Sequence, residues 1–105
     1  EKKMQFLSEY TGRSVSDGWK NLPDAYQWKL KFGNQYVLSV INNGMGAEQG
    51  LYEIGVWEAR TGNMTVLKGV TNSNESVKGF LSATEVDSII SYMSRTLHET
   101  PVEIR

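Results

Sequence analysis

Three glycines spaced Gly44-x-Gly46-x-x-x-Gly50 are the first candidates for chemistry. Glycines let backbone N–H groups close on a phosphate, provided a helix follows whose positive end meets the anion. Here the alternating run L-Y-E-I-G-V-W-E-A at residues 51–59 follows instead, with no lysine of the P-loop kind. Residues 42–50 therefore read as a flexible strand-to-strand connection, long enough to serve as a recognition loop around Gly44, Met45 and Gly46.

The remaining catalytic options are few. His98 is the one histidine, with no nucleophile elbow to work with, and at a helix end its imidazole suits the negative pole of the dipole. Glu53 and Glu58 fall on opposite faces of one strand, so they are no carboxylate pair. Cysteine is absent, which removes thiol nucleophiles, disulfides and thiolate metal sites. No calcium loop is present either. The expectation is a non-enzyme without cofactor or metal.

Two side-chain groups suit binding. Lys29 and Lys31, taken with Tyr36 on the same strand face and with Lys68, could hold a nucleic-acid strand by charge and stacking. The plainer reading is lysines on an edge strand that block sheet-to-sheet pairing. Trp57 falls on the polar face of its strand beside Glu53, where an uncovered indole makes an interface anchor. Coverage by residues 13–25 is the plainer alternative.

The elements that would carry these residues follow from patterning. The strongest is a helix over residues 80–97. Ser82 and Glu85 form a capping box, Leu81 and Val86 a hydrophobic staple, and Val86, Ile89, Ile90, Met93 and Leu97 one apolar stripe. Residues 27–32 and 35–41 are β-rich runs around Gly33-Asn34, which predicts a two-residue type II′ hairpin pairing Phe32 with Gln35 and Leu30 with Val37. That register gives one face Trp28, Leu30, Phe32, Val37 and Ile41, and the other Lys29, Lys31, Tyr36, Leu38 and Val40. In residues 51–59, Tyr52, Ile54 and Val56 oppose Glu53, Gly55 and Trp57. Residues 64–70 predict a fourth strand, 71–76 a polar loop, and 102–104 a short edge strand after Pro101. Residues 1–12 predict a short helix with Met4, Leu7 and Tyr10 inward, ended by Gly12. Residues 13–25 read as an irregular connection anchored by Trp19 and Leu22.

The expected fold is one α+β domain over residues 1–105: a four-stranded antiparallel meander, a C-terminal helix on one face, and a short N-terminal helix. A net charge of −1 argues against a DNA binder that relies on its overall field. No apolar run is long enough to cross a bilayer, no signal-peptide core is visible, and the lack of cysteine agrees with a reducing cytoplasm.

The loop N-N-G-M-G-A-E-Q-G, the strand L-Y-E-I-G-V-W-E-A-R-T-G-N-M and the closing V-K-G-F-L-S-A-T-E-V-x-x-I-I run together resemble a recurring type of small protein encoded by tailed bacteriophages. The resemblance spans residues 44–97. It implies an accessory protein of an infected bacterial cytoplasm that acts by binding a host or phage protein, with no catalytic residues to transfer. A nucleic-acid-binding accessory protein is the alternative. A small nucleotide-binding domain on the glycine loop comes last. The open face or an edge of such a sheet would also serve a homodimer that buries Leu38, Val40 or Trp57.

Overall fold

The computed structural model describes residues 5–15 and 25–104. Among them are α1 (Phe6–Glu9), β1 (Arg13–Ser14), β2 (Tyr26–Phe32), β3 (Tyr36–Ile41), β4 (Tyr52–Glu58), β5 (Val77–Leu81), α2 (Ala83–Leu97) and β6 (Val102–Ile104). They build an α+β fold on one antiparallel sheet in the order β1-β2-β3-β4-β5, with β6 also on β2. The sheet has six strands among the described residues, not the expected four. The expected anchors Met4, Trp19 and Leu22 lie outside the described residues.

α2 forms where the capping box predicts. Ser82 Oγ accepts the Glu85 N–H at 3.1 Å, and Glu85 Oε1 accepts the Ser82 N–H at 2.8 Å. The helix therefore starts at Ala83, three residues later than expected, because residues 77–81 are drawn into the sheet as β5. Val86, Ile90 and Met93 are buried against Leu30, Leu38, Val40, Ile54 and Val56. Burying side chains of this kind stabilises by about 1.5–3 kcal/mol each. The helix ends at His98, which takes a left-handed C-cap conformation and donates its N–H to Ser94 O.

The hairpin differs from the expected one by a single residue. Phe32 pairs with Tyr36 and Leu30 with Leu38, across a three-residue connection in which Gly33 has φ +59° and Gln35 N–H bonds Phe32 O. A one-residue shift turns a whole strand over. Leu38 and Val40 are therefore fully buried on the helix face with Trp28, Leu30 and Phe32, while Val37, Ser39 and Ile41 share the other face with Lys29 and Lys31. Being in the core, Leu38 and Val40 are unavailable to a dimer interface. Nor is β2 an edge strand: β3 lies on one side, and β1 and β6 share the other, so sealing an edge is not what Lys29 and Lys31 do.

Residues 64–70 are not a strand. Met64 makes one bridge to Trp57, after which the chain turns at Gly69 (φ +86°) and β5 takes the rest of the β4 edge. At the amino end, Phe6 rather than Leu7 turns inward. Its N–H donates to Asp87 Oδ1 on α2 at 2.6 Å, and its ring meets Trp28 and Tyr52 edge-on, with centroids 5.2 and 5.3 Å apart. Glu103 on β6 accepts the N–H groups of Thr11 and Gly12 at 3.0 and 2.7 Å. Two carboxylates from the far end of the chain thus hold the N-terminal segment in place.

Candidate functional site

Both helices lie on the core face; the opposite face is open in the sense that no described helix covers it, with Lys29, Lys31, Ile41 and Trp57 half-buried and Val37 and Ser39 3% and 8% exposed. Register places its side chains in rows. One row runs Val102, Lys31, Val37, Trp57, Met64, and the next Ile104, Lys29, Ser39, Gly55, Val77. Gln27, Ile41 and Glu53 form a third, with Arg13 beside Gln27 on β1.

The centre of this face is low because Ser39 and Gly55 are small. The result is a groove of about 130 Å³, with Ser39 and Gly55 as floor, Trp57, Met64 and Val77 on one side, and Ile41 and Glu53 at the other end. Trp57 is half-buried, and Met64 stands 51% exposed beside it. On the β6 side, Lys29 and Lys31 rise between Ser39 and Val37 on one hand and Ile104 and Val102 on the other. Arg13 Nη2 donates to Gln27 Oε1 at 3.2 Å, and Gln27 Nε2 to Ser39 Oγ at 3.0 Å, so a polar chain reaches the groove floor.

Glu53 joins this groove to the glycine loop. Its Oε1 accepts the Met45 N–H at 2.9 Å and lies directly against Gly44, where a Cβ would collide with it. The loop is tied down by backbone hydrogen bonds. Its Gly44 and Gly46 carbonyls accept N–H groups from Ala47, Gln49 and Leu51, and the Met45 carbonyl accepts the Phe80 N–H at 3.2 Å. A hollow of about 210 Å³ opens between residues 44–49 and Phe80. Trp57 and Glu53 therefore line the groove, Gly44, Met45 and Gly46 line the hollow, and the Met45 N–H bond to Glu53 ties the one to the other.

Phe80 itself was not legible in advance. It sits where β5 carries an extra residue opposite β4, at φ +58°, and its side chain is 58% exposed. A left-handed backbone costs a non-glycine residue about 1–2 kcal/mol, and strain of this kind gathers at binding sites. The one sequence signal is the Gly79-Phe80 pair directly ahead of the helix cap. Arg13, Met64 and Ser39 were missed too, because only the register of the strands brings them to the Trp57 face.

The nucleic-acid set does not assemble. Tyr36 lies on the core-face side opposite Phe32, whereas Lys29 and Lys31 are on the open face, and Lys68 sits in a separate turn. Glu53 and Glu58 occupy opposite faces of β4, as expected. Among the described residues no group of three histidines or acidic residues could hold a metal, and no helix is long and apolar enough to cross a membrane. Glu85 is held below the ordinary carboxylate value by its bonds to Ser82, a capping effect rather than catalytic tuning. Burial raises the Tyr10 and Tyr52 phenols.

No protein-family model, no curated protein and no solved structure matches this chain.

Proposed function

We propose that the chain is a non-enzymatic accessory protein of the tailed-phage type that binds a host or phage protein through the open face of its sheet. The observation that carries this reading is the groove over Ser39 and Gly55, with a half-buried Trp57 as its wall. A rigid indole beside a preformed depression is the arrangement that concentrates binding energy in few residues. The exposed Met64 widens the apolar contact, and the ordered glycine loop with Phe80 adds a second depression next to it. The phage assignment rests on the resemblance of residues 44–97 alone.

Three cations on the same face, Arg13, Lys29 and Lys31, favour nucleic acid as a second reading. It lacks the ring it needs beside them, since Tyr36 faces the other way.

The test is a tagged pull-down from bacterial lysate with wild type and Trp57→Ala, each checked for folding by circular dichroism. A stoichiometric protein that the folded variant loses is the expected result. Capture of nucleic acid that salt removes, or of a protein indifferent to Trp57, would overturn the proposal.

A further inference from the structure

We infer that the groove takes an acidic, amphipathic segment of a partner protein, one apolar side chain entering between Trp57, Met64 and Val77 while carboxylates meet Lys29, Lys31 and Arg13. This rests on the binding reading above and names the chemistry of its partner.

Charge asymmetry is the first argument. The chain as a whole is balanced, with 11 basic and 12 acidic residues. The open face of β1 to β4 nevertheless carries Arg13, Lys29 and Lys31 against a single acid, Glu53. That acid is already engaged by the Met45 N–H and packed on Gly44. Two other carboxylates are turned inward, Asp87 to the Phe6 N–H and Glu103 to the N–H groups of Thr11 and Gly12. The face therefore presents uncompensated positive charge beside an apolar groove, which complements an acidic surface.

Spacing agrees. Lys29 and Lys31 are alternate residues of one strand, about 7 Å apart. Carboxylates four residues apart on a helix are about 6 Å apart, so one partner helix can meet both lysines. Trp57 lies two strands from Lys31 in the same row, about 10 Å away, within the width of that helix.

The competing occupants fit less well. A second copy would bring the same three cations and no free carboxylate to meet them, since the one acid of this face, Glu53, is engaged by the Met45 N–H. Nucleic acid binds open sheets by stacking on rings. On this face of β2 to β4 the only ring is Trp57, whose neighbour on β3 is the buried Val37, while the aliphatic Ile41 lies opposite Glu53. Val102 on β6, 63% exposed, extends the aliphatic surface past the lysines.

Amide and indole NMR titration of the full chain decides the matter. Three probes are compared: a synthetic leucine–glutamate amphipathic helix, its leucine–lysine counterpart with the same leucine positions, and an oligothymidylate. The glutamate helix is expected to give saturable shifts at Ser39, Gly55 and the Trp57 indole. Lys29→Glu/Lys31→Glu should weaken it about tenfold, as two half-buried charge contacts allow, and added salt should weaken it in the wild type. No saturable shift, or equal shifts with the lysine helix, overturns the inference; tighter binding of the oligothymidylate replaces the protein segment with nucleic acid. A lysate protein that is captured through Trp57 yet binds Lys29→Glu/Lys31→Glu unchanged would sink the acidic segment and leave the binding reading standing.

Discussion

Gly12→Ala puts the packing of the N-terminal segment to a quantitative test. Gly12 has φ +73°, and a Cβ placed there would lie 2.7 Å from Trp28 Nε1 and 2.8 Å from Trp28 Cε2. The left-handed backbone costs an alanine about 1–2 kcal/mol. The collision adds about 1–3 kcal/mol of overpacking, because Trp28 is buried and packed edge-on against the rings of both Phe6 and Tyr52. Loss of glycine freedom in the unfolded chain returns about 0.4–1 kcal/mol. The net expectation is a loss of about 1–5 kcal/mol, or roughly 5–25 °C in Tm for a domain of this size. Gly62→Ala is the internal control, since Gly62 has φ +78° but nothing within 4 Å of its would-be Cβ. It should lose only the backbone share, about 1 kcal/mol or less once the unfolded-state gain is counted. Urea unfolding of both variants, with m unchanged, gives the difference directly. Equal losses for the two would refute the close approach of Gly12 to the indole.

Two further outcomes follow from the polar contacts. The Glu85 carboxylate is held below its ordinary value of 4.5 by the Ser82 backbone and side chain, with Lys78 assisting, so it contributes stability above its unfolded-state value and loses it as pH falls through its lower folded-state value. Glu85→Gln should therefore be less stable than wild type at neutral pH, with the gap closing in acid; a gap that persists at about pH 2 would contradict the assignment. Asp87→Ala leaves the Phe6 N–H without its acceptor on α2, at a cost of about 1–3 kcal/mol. Hydrogen exchange should accelerate first over residues 6–10, and uniform acceleration across the sheet would count against a local tie.

The parts legible in the sequence share one property: they depend on near neighbours along the chain. The α2 cap needs only Ser82 and Glu85 three residues apart, and the alternation of β4 needs only its own seven residues, so both match the structure. In β3, by contrast, apolar residues flank Ser39 on both parities, so its own pattern is consistent with either face. The Gly33-Asn34 pair suggested a two-residue turn, while the structure has three, and that difference decides whether Val37 or Leu38 enters the core. β5 was hidden because its extra residue at Gly79-Phe80 breaks the alternation by which strands are recognised. The same holds for the candidate site, where Trp57 and Glu53 follow from β4 alone but the lysine row beside them required the register of three strands.

By itself, then, the sequence determined an α+β chain with a capped amphipathic helix, alternating strands, no thiol chemistry and a tryptophan on the polar side of β4. Local hydrogen bonds and side-chain parity suffice for those features. Only the tertiary structure decided that Lys29, Lys31 and Arg13 stand on the Trp57 face while Tyr36 does not, that Glu53 ties the groove to the glycine loop, and that Glu103 and Asp87 hold the amino end. All but the Glu53 tie pair residues distant in sequence. Their meeting is set by strand register and by competition among apolar side chains for one core face, which no local pattern encodes.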